Sequence, residues 1–124
     1  MERTLQQVKV PRIVQQALKL YANKQQQTLN DTYDEIFAWF LDYRQQHHFF
    51  FYLASAADGR YKSMWPKTYW VEKIKHQAQV DNIQVNRVVF TAIVLFLKDQ
   101  NLFNEIHAIN HSIKESPAHY EVCA

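Results

Sequence analysis

The chain has 124 residues, a formal net charge of +2, 48% hydrophobic and 15% aromatic residues, and only one glycine, three prolines and one cysteine. That length is one domain's worth, enough to bury a core without disulfides or metals. A lone glycine excludes the phosphate loop GxxxxGK[ST], the dinucleotide fingerprint GxGxxG and the nucleophile elbow GxSxG, and the scarcity of turn residues argues against an all-β sandwich.

Thr4–Val10 alternates, with Val8 and Val10 set against Gln7 and Lys9, which predicts a short strand. Pro11 ends it and opens a helix whose apolar face is Ile13, Val14, Ala17, Leu18 and Tyr21. The polar run 23–27 interrupts the pattern. Thr28 is then placed to N-cap a second helix, with Asp31 three residues on and a stripe of Leu29, Tyr33, Ile36, Phe37, Phe40 and Leu41. His47–Ala57 has no helical period. Asp58-Gly59 is a turn signal, and Phe49–Leu53 and Arg60–Trp65 are compatible with the two arms of a hairpin about it.

Arg60–Trp65 reads as a strand, and Pro66 stops it and starts a helix with Trp70, Ile74 and Ala78 on one face. Asp81-Asn82 breaks that helix. A strongly apolar one follows from about Val85 through Val89, Ala92, Ile93, Phe96 and Leu97, and a last one from Leu102 through Ile106, Ile109 and Ile113, ended by Pro117. Trp65, Trp70 and the Phe49–Tyr52 run are expected in the core; if uncovered, that run is a surface for a partner. The N-terminus lacks the apolar stretch of a signal peptide, and no apolar run approaches the roughly 20 residues of a membrane span. With Cys123 as the sole cysteine, a cytoplasmic location is expected.

The order strand, proline, helix, turn, helix occurs twice. VKVPRIVQQALKL (8–20) lies over SMWPKTYWVEKIK (63–75), and TLNDTYDEIFAWFLDY (28–43) over QVNRVVFTAIVLFLKD (84–99). Shifted by 56 positions, Leu29 falls on Val85, Asn30 on Asn86 and Phe40-Leu41 on Phe96-Leu97, whereas the prolines differ by 55, which implies one extra residue after Pro66. The expected fold is mainly α with a short two-stranded antiparallel ribbon. It forms one domain: copy one at 4–46, a connection at 47–59, copy two at 60–101, and a C-terminal helix and tail at 102–124.

The alternating strand, the proline and the helix starts Thr28-Leu29-Asn30 and Gln84-Val85-Asn86 resemble the ribbon–helix–helix (Arc/MetJ) superfamily. The resemblance covers roughly 4–43 and 60–99. It departs at the interhelical turns, where the family usually has glycine and this chain has Gln25–Gln27 and Asp81-Asn82; Asn and Asp tolerate left-handed backbone, so Asp81-Asn82 suits the second turn, and Asn23 is the residue expected to serve the first. The resemblance implies an intramolecular pseudo-dimer whose paired strands enter the major groove of double-stranded DNA. The inner ribbon face would then carry Val8, Val10, Ser63 and Trp65. The outer face would read bases with Leu5, Gln7, Lys9, Arg60, Lys62 and Met64: Gln is suited to adenine, Arg and Lys to guanine, and apolar tips to thymine methyls. Thr28, Asn30, Gln84 and Asn86, with Arg87, would hold phosphates at the starts of the second helices.

Since the two outer faces differ, an asymmetric site is expected. Tandem copies in one chain are similar in plan to the accessory DNA-binding proteins of conjugative and T-DNA transfer, which implies a relaxase or other DNA-processing protein as partner. The alternatives are a transcriptional repressor or antitoxin-type regulator on the same scaffold, and a protein–protein adaptor. No enzyme constellation is present. His107 and His111 have a zinc-compatible spacing but lack a third ligand, and Cys123 has no activating neighbour, so no metal, cofactor or catalytic residue is expected.

Overall fold

The structure is a computed structural model that describes residues 2–114. Its order is β1 (Gln6–Val10), α1 (Arg12–Lys24), α2 (Leu29–Gln46), β2 (Arg60–Met64), α3 (Thr68–Val80), α4 (Val85–Asp99) and α5 (Leu102–Lys114). The described chain is mainly helical with one two-stranded antiparallel sheet, β1 against β2. Pro117 and Cys123 lie outside the described residues, as does the side chain of Ile113. No single helix among the described residues is long and apolar enough to cross a membrane.

Each element follows from local chemistry. Thr28 caps α2, its hydroxyl accepting from the Asp31 N–H at 3.1 Å. The stripe behind it buries Tyr33, Ile36, Phe37 and Phe40 against Val88, Val89, Ala92, Ile93, Phe96 and Leu97 of α4. Tyr21 of α1 and Trp39 of α2 both meet the Phe96 ring edge-on, at 5.0 and 5.6 Å. α5 closes the core against α1 and α4 with Leu102 and Ile106, while Ile109 stays exposed.

The interhelical turns dispense with glycine. α1 ends in a Schellman arrangement, with Gln26 at φ 53°, the Gln27 N–H on the Ala22 carbonyl and the Gln26 N–H on the Asn23 carbonyl. α3 ends in the same way at Asn82, also at φ 53°, with Ile83 bonded to Ala78 and Asn82 to Gln79. The left-handed residue of the first turn is therefore Gln26 and not Asn23, because the chain reverses one residue beyond the C-cap. A glutamine held there is strained by about 1 kcal/mol. Gln26→Gly is expected to raise stability by about 0.5–1 kcal/mol in a urea titration; a loss would contradict the left-handed assignment.

The connection 47–59 forms no hairpin with β2, because β2 pairs with β1 instead. Its aromatic residues alternate in exposure. Phe50 and Tyr52 pack onto Phe40, whereas Phe49 and Phe51 are 97% and 93% exposed. The run is thus half core and half surface, and Trp65, at 47% exposed, is not core either. Phe49→Ser/Phe51→Ser is expected to leave the thermal midpoint within about 2 °C of the parent, since neither ring is packed.

Tyr52 is anchored through Asp81 in the α3–α4 turn. Asp81 accepts two hydrogen bonds from the Arg44 guanidinium, at 3.0 and 3.1 Å, one from Gln77 at 2.9 Å and one from the Tyr52 hydroxyl. Burial alone would raise the Asp81 carboxyl, but these donors outweigh it and hold the group below its usual range. A lowered folded value means stability that is present above the unfolded carboxylate range and is lost as pH falls through the folded value. Asp81→Asn is expected to cost about 2 kcal/mol at neutral pH and progressively less toward pH 3, read by urea unfolding at each pH.

Candidate nucleic-acid interface

The register places Gln6 opposite Met64, Gln7 opposite Ser63, Val8 opposite Lys62, Lys9 opposite Tyr61 and Val10 opposite Arg60. Directly opposed residues in an antiparallel pair share a face. Gln6, Val8 and Val10 therefore face the helices together with Met64, Lys62 and Arg60, and Val8, Val10 and Met64 are buried. The outer face carries Gln7 and Lys9 from the first strand with Leu5 just before it, and Tyr61 and Ser63 from the second with Trp65 just beyond it.

This reverses the second strand relative to the sequence expectation. Met64 is fully buried and reads nothing at the surface, while Ser63 and Trp65, expected inside, are exposed. Arg60 and Lys62 fall on the helix-facing side, Arg60 exposed at the ribbon's end and Lys62 half-buried. The cause is the proline. Pro11 is the N-cap of α1, but the N-cap of α3 is Lys67, not Pro66. Pro66 holds the place of Val10, so there is no extra residue after it. Aligning the strands on their prolines slips them by one, and a one-residue slip turns every side chain over.

The outer face is polar at its centre and apolar toward its ends. The Gln7 amide donates to the Ser63 hydroxyl at 3.1 Å. The Lys9 ammonium donates to the Ala57 carbonyl at 3.2 Å, holding the connection against the ribbon. Leu5, Tyr61 and Trp65 are 44%, 67% and 47% exposed.

The two helix starts are tied to the ribbon. Asn30 accepts from the Trp65 N–H at 3.0 Å, and Asn86 accepts from the Gln6 amide at 3.1 Å. Each therefore ties its helix to a ribbon strand. Thr28 spends its hydroxyl on the N-cap, whereas Gln84 caps α4 without a side-chain bond, and both are exposed. Arg87 is committed to the connection: its guanidinium donates to the Leu53 and Tyr52 carbonyls at 3.0 and 3.1 Å. The structure thus brings Asn30 and Asn86 to the ribbon, sets Thr28 beside Lys62 and Ser63, leaves Gln84 at the exposed start of α4, and turns Arg87 to a structural use.

Arg3 is a residue that no sequence pattern singled out. Its guanidinium donates to the Trp65 carbonyl at 2.6 Å and meets the Asp31 and Asp34 carboxylates at 3.2 Å each. It fastens the chain before β1 to β2 and α2 at once, and only the fold brings those three groups together. Among the described residues no group of three or more His, Cys, Asp or Glu side chains is arranged to hold a metal. Comparison of the chain with protein-family models, with curated proteins and with solved structures finds no match.

Proposed function

We propose that this chain binds double-stranded DNA as a single-chain ribbon–helix–helix pseudo-dimer, with the outer face of the β1–β2 ribbon in the major groove. One observation carries the reading. Gln7 and Ser63, 56 residues apart, are paired at the centre of the ribbon. The same separation relates α1 to α3, the left-handed Gln26 to Asn82, and the N-caps Thr28 to Gln84. A pair of equivalent residues facing each other across an antiparallel ladder is what a two-fold axis between two copies requires. It also leaves a two-stranded ribbon with one solvated face, the width of which suits a major groove.

Base reading then falls to Gln7, Lys9, Tyr61 and Ser63, with Leu5 and Trp65 at the ends, and phosphate contacts to the helix starts around Thr28, Asn30, Gln84 and Asn86. The two strands offer different side chains, so the preferred site is asymmetric. The tandem plan is that of an accessory factor acting with a relaxase or similar DNA-processing protein at a transfer site. A second reading, a protein–protein adaptor, is favoured by one feature, the exposed Phe49 and Phe51.

Fluorescence anisotropy on a labelled duplex in a salt series separates the two. Each phosphate neutralised by a lysine or arginine steepens log affinity against log salt by about −0.9, so even two such contacts weaken binding about 3.5-fold for a doubling of salt. Gln7→Ala/Lys9→Ala is expected to reduce the preference for a selected site over random duplex by about tenfold or more while the fold is retained. A flat salt response would overturn the DNA reading and leave the adaptor.

A further inference from the structure

Between α1, the start of α2 and β2 lies a cavity of about 320 Å³, lined in part by Leu18, Lys19, Tyr33, Lys62 and Trp65. Its volume is in the range of small-molecule sites. Leu18, Tyr33 and Trp65 supply apolar and aromatic wall, and no carboxylate lines it. Two lysines, Lys19 and Lys62, do. Neither Lys19 nor Lys62 has an ion-pair or hydrogen-bond partner among the described residues. Two unpaired lysines beside a cleft whose wall mixes Leu18, Tyr33 and Trp65 with Thr28, Asn30 and Ser63 select a ligand with one anionic group and a flat, largely apolar body.

The other half of the molecule does not repeat the cavity. By the separation of 56, Lys19 corresponds to Lys75, Leu18 to Ile74 and Lys62 to Gln6. Gln6 is bonded to Asn86 rather than free. Ser55 and Ala56 of the connection cover the ribbon beside Lys9, leaving about 160 Å³. Among the described residues, the connection occupies the equivalent place on the other side.

We propose that this cavity binds a small aromatic acid, and that its occupancy excludes DNA from the β2 edge of the ribbon. Ser63 and Trp65 belong both to the cavity wall and to the outer ribbon face, so one surface cannot serve both ligands. The exclusion of DNA rests on the function proposed above, but the binding of the acid does not.

The test uses the full chain without DNA, in the Phe49→Ser/Phe51→Ser background to remove the other exposed aromatic pair. The probe is anilinonaphthalene sulfonate, followed by fluorescence. One saturable site is expected. Lys19→Gln and Lys62→Gln should each weaken it about tenfold, and Lys75→Gln should not change it. The uncharged phenylnaphthylamine should bind at least tenfold more weakly. Far-UV circular dichroism checks that each variant is folded, and Lys19, being exposed, gives a variant whose fold is not at stake. Equal binding of the neutral dye, insensitivity to both lysines, or displacement by inorganic phosphate at the same concentration as the dye would overturn the site. In a second arm, the probe should displace a labelled duplex from the parent chain. A duplex that binds but is not displaced overturns the exclusion alone. A duplex that does not bind overturns the DNA reading and leaves the dye titration to stand by itself.

Discussion

Met64→Ala is expected to lower stability by about 3 kcal/mol, whereas Trp65→Ala, which deletes a larger side chain one residue on, is expected to cost about 1 kcal/mol or less. Met64 is fully buried in the main core cluster, on the face of β2 that meets the helices. Truncating it removes transfer energy and leaves a cavity beneath the ribbon, a combination that costs 2–5 kcal/mol for buried methionine or leucine. Trp65 is nearly half exposed, and its bonds to the rest of the fold are made by its backbone: its N–H donates to Asn30 and its carbonyl accepts from Arg3. Those bonds survive truncation. Urea unfolding of the two variants decides the register, because the opposite facing of β2 demands the opposite order of effects. On the proposed DNA-binding function the readout should divide in the same way, with Trp65→Ala altering binding with little loss of stability and Met64→Ala altering it only through the folded fraction.

Trp65 and Met64 also mark where the sequence was legible and where it was not. The helices were, because their apolar residues recur with the helical period over 13 to 18 residues, which tolerates a misplaced residue or two. Thr28 was legible as a cap because capping is a local event. The strands are five residues long, so their facing depends on a single reference point, and Pro66 was a false one. A proline fixes its own φ and removes a donor, but it does so equally well at the last strand position or at the N-cap. Carrying the separation of 56 from Asn30 and Asn86 back through the strands would have set Val8 on Met64 and the facing with it. Gln26 was missed for another reason: nothing about glutamine favours left-handed backbone, and the turn imposes it through the two Schellman bonds. Arg3, the bonds of Arg87 to the connection and the Lys19–Lys62 cavity were out of reach altogether, since each is defined by groups that only tertiary packing brings together.

Gly59→Ala is expected to cost about 3 kcal/mol, well above the usual penalty for a turn glycine, and to open one end of the ribbon. Gly59 has φ +106°, beyond the left-handed helical region that Asn, Asp or Gln can occupy, and this alone costs a side-chain-bearing residue about 1–3 kcal/mol. A Cβ there would also stand 2.3 Å from the Val10 carbonyl oxygen and 2.8 Å from the Pro11 nitrogen. Both neighbours are backbone, so no side-chain rotation relieves the contact. Relief requires the chain at 59 to move off β1, and the residue that follows is Arg60, the ladder partner of Val10. The substitution therefore exchanges strain for a lost strand pair. Amide hydrogen exchange should show which end yields: protection should fall first at the Val10–Arg60 end, while the Gln6–Met64 end, closed by Arg3 and by the Thr4 N–H on the Pro66 carbonyl, should keep it. Lys9 and Tyr61 lie one step from the opened end, so, on the proposed DNA-binding function, the same variant should lose discrimination at the part of the site they would contact and keep it at the Leu5–Trp65 part. A Gly59→Ala chain within 1 kcal/mol of the parent, with unchanged exchange at Val10, would mean that the connection does not press on β1 as described.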